Sequence, residues 1–311
     1  MLDGKYAAME TLDAKALRIF IAVVRCGSIR SAAEHLGVAA SVVSRQIADT
    51  EKNVGLPLFN RTSRGVGLTD AGGLVLDHAQ RVIEDSGLLS EQLNQLRGVQ
   101  QARVRVCCGE GFLGDLIEHG LKSFANVYPS VSYNLTLGST DKVQEDVANG
   151  DVDIGIAYNP VIDTRIRSLA ISRQPLCLVA APGHPLLLEQ SVSLEACLEA
   201  SPYALLTKGH GVTQLVSRTA ADVGLAVAPM LETPSIDVLR RFVMAGLGIT
   251  FLPRFAVTTE ITRSALGVVE LSDPLLAQAS AYLMVKARRR LPISVERLGS
   301  FLAFEMTAFQ Q

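Results

Sequence analysis

The stretch SIRSAAEHLGVAASVVSRQI, residues 28–47, contains two helical patterns separated by a glycine. Its first half places Ala32, Ala33 and Leu36 at helical spacing on one face. Gly37 follows, and a glycine tolerates the left-handed turn that ends a helix. The second half sets small and polar residues against a thin apolar stripe, formed by Val38, Val42, Val43 and Ile47. The polar face of this second helix is therefore suited to contact with a partner.

Patterns on both sides of this stretch complete a small domain. Before it, an apolar repeat predicts a helix over residues 13–25, carried by Leu17, Phe20, Ile21 and Val24. The stretch itself and the residues after it predict helices over 29–36 and 40–54. Further on, GLPLFNRTSRGVGLTDAG, residues 55–72, holds two short apolar segments around a basic turn at 61–64. This last pattern indicates a small β-hairpin, or wing.

The composition indicates a globular protein large enough for more than one domain. The chain has 311 residues, of which 48% are hydrophobic and 19% are charged. No uninterrupted apolar run reaches the length of about 18 residues that a membrane span requires. The first residues, MLDGKYAAMETLDAKALRIF, lack the pattern of an export signal. We therefore expect a cytoplasmic protein that has no membrane partner.

The charges are distributed unequally along the chain. Residues 1–66 carry nine Lys or Arg and six Asp or Glu, whereas residues 67–311 carry twenty and twenty-five. A basic module joined to an acidic one is typical of a polyanion-binding head on a body with another role. The five cysteines are scattered and include no Cys-x-x-Cys pair, so we expect reduced, mostly buried thiols and neither metal nor cofactor.

A long helix with a heptad repeat is predicted over residues 70–97. Its apolar seam alternates steps of four and three residues, through Val75, Ala79, Val82, Ser86, Leu89, Leu93 and Leu96. Such spacing lets two helices wrap around each other, so the seam predicts a homodimer. The alternative is that the seam packs on its own domain. The following RGVQQA segment, residues 97–102, indicates a linker.

The remainder of the chain alternates strand and helix patterns. Strands are predicted over 103–108, 130–138, 152–158, 177–182, 203–207, 226–232 and 248–253. Helices are predicted over 113–127, 141–149, 212–223, 236–245 and 294–308. This order favours parallel sheets with helices on both faces, in two lobes separated by a cleft. A cleft between lobes is the usual place for a small ligand.

Several of these motifs resemble those of one family of proteins. Residues 17–70, with AAEHLGVAASVVSRQI, EKNVGLPLFNR and LTDAG, resemble the winged helix-turn-helix of LysR-type transcriptional regulators. The resemblance continues through the linker helix and the segments FANVYPSV, DVDIGIA, GHPLL and VMAGLGITFLP. It implies a multidomain fold, with a two-lobed α/β effector domain of type II periplasmic-binding-protein fold. It also implies a small-molecule effector and assembly that is commonly tetrameric.

This reading divides the chain into three parts. A winged helix-turn-helix DNA-binding domain covers residues 1–66, and a linker or dimerisation helix with a hinge covers 67–101. The effector-binding domain covers 102–311, with lobe one at about 102–173 and 274–311 and lobe two at about 174–273. Paired linker helices would hold two heads at a fixed spacing on a nearly palindromic site in double-stranded DNA.

Candidate DNA contacts follow from the chemistry of the grooves. A recognition helix needs short polar side chains near its start, and Arg or Gln to reach base edges. Four residues meet these needs, namely Ser41, Ser44, Arg45 and Gln46. Contacts to phosphates are assigned to Arg30, Ser31, Arg61, Thr62 and Arg64. A solvated helix face without a partner is the alternative interpretation of the first group.

The chain departs from the family pattern at the start of the recognition helix. Family members often have Ser followed by Gln there, whereas this chain has Ala39 and Ala40. Alanine cannot cap a helix, and it makes no hydrogen bond to a base. We therefore expect apolar contact with a thymine methyl group instead. Thr50 also stands where a Leu is expected.

Candidate effector contacts are the predicted helix starts around the cleft, because helix N-termini favour anions. These starts are residues 109–112, 138–140, 207–213 and 233–235. The resemblance implies effector contacts from the first two in lobe one and from the others in lobe two. The candidate residues are Glu110, Gly111, Phe112, Ser139, Thr140, Tyr158, Thr207, His210, Val212 and Pro234, with Phe112 and Tyr158 as walls.

Glu110 is unusual, since it stands where many relatives place a Ser or Thr that grips a ligand carboxylate. It could be a surface residue, could select a ligand with an amine or hydroxyl groups, or could pair across the cleft with Lys208 or His210. His210 itself is either a ligand contact or an ordinary loop residue.

Two rival functions remain at this stage. Adjacent Cys107 and Cys108 raise the possibility of a thiol-based redox sensor of the same family, although adjacent cysteines form strained disulfides. The segment LLTKGHGV, which corresponds to the loop that carries the cysteines of peroxide sensors, has none. An enzyme on the two-lobed scaffold would need a catalytic motif, and we find no Gly-x-Ser-x-Gly, His-Glu-x-x-His or phosphate-loop pattern. We expect a regulator that is not an enzyme.

Overall fold

The computed structural model describes residues 12–62, 65–96 and 102–310. The chain divides into two compact units, residues 1–98 and residues 99–311. Within the described ranges, no helix combines the length and the apolar character that crossing a membrane demands.

The described residues of the first unit form four helices and one hairpin. The elements are α1 (Ala14–Cys26), α2 (Ile29–Leu36), α3 (Ala40–Val54), β1 (Phe59–Thr62), β2 (Gly65–Leu68) and α4 (Asp70–Leu96). The two strands are antiparallel and pair Phe59 with Leu68, which forms the wing. The boundary predicted at residue 66 falls inside β2.

Local signals set the ends of the first helices. The Asp13 carboxylate accepts a hydrogen bond from the Ala16 amide at 2.7 Å, and the Ser28 hydroxyl accepts one from the Ser31 amide at 3.0 Å. Both side chains therefore satisfy donors that a helix start leaves without partners. At the other end of α2, Gly37 takes a left-handed conformation with φ of 66°.

The core of the head joins all these elements. Its buried apolar residues are Ile19, Phe20, Ala22, Val23, Ala32, Ala33, Val43, Ile47, Leu58 and Val75. The wing is tied to α3 because the Glu51 carboxylate accepts hydrogen bonds from the Leu58 and Phe59 amides, at 2.7 and 3.2 Å. The start of helix α4 packs closely against Leu58, the residue before β1. A Cβ on Gly72 would lie 2.1 Å from the Leu58 carbonyl oxygen.

The heptad seam of α4 has two different halves. Val75 and Ala79 are buried in the head, where Ala79 packs beside Leu17 of α1. Leu89 and Leu93, farther along the helix, are 56% and 44% exposed. The first half of the seam therefore packs on its own domain. The second half is exposed to solvent in the protomer.

The second unit contains two sheets, one for each lobe. The lobe-one sheet has the order β4-β3-β5-β13-β6, from β3 (Ala102–Cys108), β4 (Val131–Leu137), β5 (Ile154–Tyr158), β6 (Ile166–Arg173) and β13 (Ser280–Lys286). The lobe-two sheet has the order β10-β9-β11-β7-β12-β8, from β7 (Leu176–Ala180), β8 (Ser191–Val192), β9 (Tyr203–Leu206), β10 (Leu231–Thr233), β11 (Ile249–Pro253) and β12 (Gly267–Leu271).

Helices cover both sheets. They are α5 (Leu113–Asp115), α6 (Lys122–Val127), α7 (Thr140–Asn149), α8 (Leu194–Ala200), α9 (Gly211–Asp222), α10 (Ile236–Met244), α11 (Thr258–Thr262), α12 (Pro274–Ala277) and α13 (Ile293–Glu305). A helix predicted over 113–127 is present, but its middle, Leu116–Leu121, is a π-helix. A short 3-10 turn, Glu110–Phe112, precedes it.

The expectation of parallel sheets is wrong in part. β13 pairs antiparallel with β5 and β6, and β7 pairs antiparallel with β11 and β12. The chain passes from lobe one to lobe two between β6 and β7, and it returns with β13. The strand predicted over 226–232 is confined to Leu231–Thr233, and four strands, β6, β8, β12 and β13, were not predicted.

Candidate DNA-binding surface and effector cleft

Packing of α3 in the head determines which of its side chains face outward. Val43 and Ile47 are buried, and they fix the rotation of the helix. Ser41, Ser44 and Arg45 are exposed, and Gln46 is half-buried. Residues three and four positions apart share one face of a helix. The structure thus brings three of the four predicted base-contacting residues onto one open surface.

The apolar stripe predicted for α3 divides between core and surface. Val43 and Ile47 belong to the core, but Val38 and Val42 are 42% and 46% exposed. The stripe is therefore only partly buried, because the core reaches only the inner side of the helix. Together with exposed Ala39 and Ala40, they place an apolar patch at the start of α3.

The start of α3 has no side-chain cap. Ala39 occupies the N-cap position in an extended conformation, with φ of −68° and ψ of 143°, and makes no side-chain hydrogen bond. Its carbonyl accepts from the Val42 amide at 3.0 Å. Thr50, buried within the same helix, donates from its hydroxyl to the Gln46 carbonyl at 2.7 Å, which explains how a polar residue fits where an apolar one is expected.

The charged side chains of the surface form only loose contacts inside the protein. Arg45 Nε lies 3.9 Å from Asp49 Oδ2, and Arg30 Nε lies 3.4 Å from Glu34 Oε1. Exposed ion pairs of this kind contribute little to stability. They can therefore be exchanged for phosphate or base contacts. Ser31 accepts a hydrogen bond from the Ser28 hydroxyl at 2.9 Å at the start of α2.

Three residues of the wing are predicted to contact phosphates. Arg61 and Thr62 lie on β1, opposite Val66 and Gly65. Arg64 lies outside the described residues. The assignment of these three residues to phosphates stays a prediction.

A small cavity lies between the two lobes of the second unit. Its volume is about 40 Å³. Eight of the ten predicted effector residues line it, namely Glu110, Gly111, Phe112, Thr140, Tyr158, His210, Val212 and Pro234. Ser139 and Thr207 do not line it. The Ser139 hydroxyl instead caps α7 by accepting from the Lys142 amide at 3.3 Å.

The remaining wall residues come from lobe two and escaped the prediction. They are Leu206, Ile236, Pro253, Phe255 and Ala256. Glycines 109, 138 and 211, which lie in the predicted helix starts, also line the cavity. Phe255 stacks on Phe112 of lobe one, with ring centroids 4.6 Å apart. The sequence offered one signal for Pro253, Phe255 and Ala256, which is their position at the carboxyl end of the predicted strand 248–253. Ligands bind beyond the carboxyl ends of such strands.

The starts of α7 and α9 meet across the cleft. The Thr140 hydroxyl accepts a hydrogen bond from the Gly211 amide at 2.9 Å and lies 3.3 Å from the Tyr158 carbonyl, to which it donates. The Asp141 amide donates to the Gly209 carbonyl at 3.0 Å. A Cβ on Gly211 would lie 1.9 Å from the Tyr158 carbonyl oxygen, so this approach requires glycine. These contacts hold the cleft closed.

His210 is fixed by its own loop. Its Nδ1 lies 2.9 Å from the Thr207 carbonyl oxygen. A carbonyl only accepts, so Nδ1 carries the proton, and Nε2 of a neutral ring is an acceptor. His210 is thus held by its own loop and also lines the cavity. Its role as a ligand contact stays a prediction.

Glu110 pairs across the cleft, but with neither of the partners predicted for it. Its carboxylate accepts hydrogen bonds from the Ser235 hydroxyl at 3.1 Å, the Ile236 amide at 2.6 Å and the Asp237 amide at 3.3 Å. The partner is therefore the start of α10 in lobe two. Lys208 and His210 are not involved in these bonds.

Tyr158 connects the cleft to the crossing between the lobes. Its hydroxyl donates to the carbonyl of Gln174 at 2.7 Å, and the side chain of Gln174 donates to the Ala308 carbonyl at 3.0 Å. Burial raises the pKa of Tyr158 well above its ordinary value. Tyr158 is therefore a neutral hydrogen-bond donor that anchors the segment where the chain crosses from lobe one to lobe two.

The adjacent Cys107 and Cys108 show no features of a redox site. Cys107 packs beside Val143 and Val147, whereas Cys108 belongs to the main core, because adjacent residues of a strand face opposite sides. Burial raises the pKa of Cys107, and it raises the pKa of Cys108 to about 12. Protonated, buried thiols react poorly. Among the described residues, no group of three His, Cys, Asp or Glu side chains could hold a metal ion.

Comparison with known proteins agrees with this geometry. Residues 14–73 match the bacterial regulatory helix-turn-helix protein model of the lysR family, and residues 97–306 match the LysR substrate binding domain. The transcriptional regulator CbbR of Rhizobium meliloti is 28% identical, with 97% of this chain and 93% of that protein covered. The transcriptional activator CmpR of Synechocystis sp. is 27% identical, with 91% and 92% covered.

Solved structures show the same fold. A full-length OxyR from Pseudomonas aeruginosa superposes with a TM-score of 0.68 at 21% identity, covering 94% of this chain and 95% of that one. The family models together span most of the sequence, from the start of α1 to the end of α13. The chain belongs to the LysR family, and it is a DNA-binding transcriptional regulator with an effector-binding domain.

Proposed function

We propose that the exposed face of α3 reads base edges and that the cleft of the second unit takes the effector. The observation that carries this proposal is the arrangement of Ser41, Ser44 and Arg45 on one open face, over a buried anchor of Val43 and Ile47. A recognition helix in the major groove needs this division between core and contact face. Gln46 belongs to the same base-reading group, and Arg30, Ser31 and the wing residues then position the head on the DNA backbone.

The cleft supports a small effector with a mostly apolar body. Its walls include the rings of Phe112, Phe255 and Tyr158, and its volume of about 40 Å³ holds only a few water-sized groups. Ligand pockets in proteins are usually of about 300–1,000 Å³. An effector therefore opens the cleft when it binds, and its preference for the open arrangement drives the switch.

Oligomerisation is the second part of the proposal. Leu89 and Leu93 are exposed along the second half of the α4 seam. Apolar residues at heptad spacing without cover in the protomer favour a helix pair. We therefore assign α4 to a homodimer, with a homotetramer as the larger assembly, and two heads on a nearly palindromic DNA site. Leu89→Glu with Leu93→Glu should lower the sedimenting mass.

Fluorescence anisotropy tests the function directly. The full chain is titrated onto a labelled duplex from the promoter region next to its own gene, and onto a scrambled duplex, across a salt series. Tighter binding to the native duplex supports base readout by the head. Equal binding with the same steep salt dependence on both duplexes would mean that the head contacts only phosphates, which contradicts the proposal.

A matched variant identifies the helix that reads the sequence. Arg45→Ala should lose the preference for the native duplex, whereas Arg30→Ala should weaken binding to both duplexes alike, because phosphate contacts carry no sequence information. The relatives named above are regulators, and we propose no catalytic role for the second unit.

A further inference from the structure

We propose that Glu110 is a built-in anion that occupies the start of α10, holds the lobes closed without effector, and excludes small carboxylates from that end of the cleft. The inference rests on the effector cleft proposed above, and it names the class of ligand that this cleft rejects. The class that it accepts is uncharged or cationic.

The contacts of Glu110 are those that a bound carboxylate would make. Both of its oxygens are used, since Oε2 accepts from the Ile236 amide at 2.6 Å and Oε1 accepts from the Asp237 amide at 3.3 Å. The first amides of a helix have no partner within the helix and attract negative charge. Glu110 satisfies them from a position 126 residues away from Ile236 in the chain.

Ser235 shows that the helix start depends on this outside group. A serine at an N-cap position usually accepts a hydrogen bond from its own helix. Ser235 makes no such bond, and its hydroxyl instead donates to Glu110 Oε1 at 3.1 Å. The capping residue has therefore turned its donor toward the carboxylate of the other lobe. All three donors at this point converge on one anion.

The neighbours of Glu110 hold it in place. Gly111 packs so closely against lobe two that an added Cβ would lie 3.0 Å from Ile236 Cδ1 and 3.2 Å from Ala256 Cβ. Phe112 stacks on Phe255 next to it. The turn of residues 110–112 is thus docked on lobe two by apolar contact, and the carboxylate completes the contact with charge. An effector cannot reach the α10 amides without moving this turn.

Polar groups of Thr140, Gly211 and Tyr158 in the cleft are also engaged with one another. The Thr140 hydroxyl accepts from the Gly211 amide and donates to the Tyr158 carbonyl. An incoming carboxylate would meet the negative charge of Glu110 and find these donors already bonded. A neutral or cationic molecule meets neither obstacle. The choice of a glutamate at position 110 therefore determines the sign of charge that the cleft accepts.

Rescue with an external anion tests the proposal. Calorimetry of the full chain compares wild type, Glu110→Ala and the control Glu118→Ala, whose carboxylate is exposed in the same lobe. Each protein is measured in sodium formate and in sodium chloride at an equal ionic strength of about 0.1 M, so that screening is the same. Glu110→Ala should lower the midpoint of the second-unit transition by about 2–6 °C. Formate should restore about 1–3 °C of that loss by binding at the vacated position.

Wild type and Glu118→Ala should show no difference between the two salts. The proposal is overturned if Glu110→Ala leaves the midpoint unchanged, or if formate raises the midpoint of wild type as much as that of the variant. Glu110→Gln provides a second measurement, because it keeps an acceptor but no charge, and its midpoint should fall between those of wild type and Glu110→Ala. None of these results depends on DNA, so failure of the DNA-binding proposal would appear separately, in the anisotropy titration.

Discussion

Helices α3 and α10 begin with the same chemical need and meet it in different ways. The first amides of each helix point outward without intrahelical partners. At α3 the N-cap is Ala39, which offers no side-chain acceptor. At α10 the N-cap is Ser235, and a carboxylate from the other lobe supplies the acceptor. The first amides of α3 therefore receive no acceptor from a capping side chain, whereas those of α10 donate to a carboxylate within the protein.

The difference separates the two roles of the molecule. The start of α3 belongs to a surface that contacts a partner, so the protein gains little stability there. The start of α10 belongs to the closure of a cleft, so its hydrogen bonds stabilise one arrangement of the lobes. Removal of exposed contact side chains on α3 should therefore change DNA affinity more than stability, and substitutions at the start of α10 should do the reverse.

The largest effect is expected for Arg45→Ala. A good side-chain contact to a base edge contributes about 1–3 kcal/mol of discrimination, so affinity for the native duplex should fall about 10- to 100-fold. The unfolding midpoint should stay within the range of an ordinary surface substitution. Anisotropy and calorimetry measure the two quantities. Arg18→Ala removes the same charge from an exposed position of α1, and a similar loss of specificity in that variant would contradict the assignment.

A smaller effect is expected when α3 receives the cap that it lacks. Ala39→Ser should raise the free energy of unfolding of the head by about 1 kcal/mol, because Ala39 already has the extended conformation of a capping residue. Ala40→Ser is the matched control, since a hydroxyl one position later cannot reach the same amides. Urea unfolding of the full chain measures both, and equal shifts would show that capping is not the cause.

The apolar patch on α3 should respond to the methyl groups of the operator. Replacing thymine by deoxyuridine in the native duplex removes methyl groups in the major groove, and each contacted methyl should cost about 0.8 kcal/mol. Val42→Ala should reduce this sensitivity, because Val42 is exposed beside Ala39. If wild type and Val42→Ala respond equally to the replacement, Val42 does not contact a methyl group.

The smallest effect is expected for Ser235→Ala. It removes one of the three donors to Glu110 and leaves both amides in place, so the second unit should lose about 0.5 kcal/mol of stability. DNA affinity without effector should not change. Thermal unfolding measures the loss, and a destabilisation as large as that of Glu110→Ala would show that the hydroxyl, rather than the amides, holds the carboxylate.

Local patterns were sufficient for the head and for the outline of the second unit. The apolar spacing around Phe20 and Ala32, with Gly37 as a stop, predicts α1, α2 and α3 to within one residue. These signals depend only on neighbours along the chain, which the sequence displays directly. The buried strands β5, β9 and β11 were predicted for the same reason, because each is a continuous apolar run between turns.

Predictions failed where distant segments supply the partner. The strands β6 and β13 were not predicted, and their place in the lobe-one sheet depends on the pairing of β13 with β5 and β6, which lie far from it in sequence. In the first half of the α4 seam, Val75 and Ala79 pack within the head, and Ala79 packs beside Leu17 of α1. The wall residues Phe255 and Ala256 belong to the same class, since only the fold brings them beside Phe112.

Glu110 shows the limit most clearly. Its position before a helical turn, at the end of a strand, is visible in the sequence and suggests a role in the cleft. Which group it meets is not visible, because Ser235, Ile236 and Asp237 lie on another lobe and are brought near only when the two sheets fold and the lobes close. Short-range periodicity and turn residues determine the helices, the wing and most of the strands. The pairing of a carboxylate with amides across the cleft is decided by tertiary structure. Its partners are more than a hundred residues apart in sequence, and only the folded lobes bring them within hydrogen-bond distance.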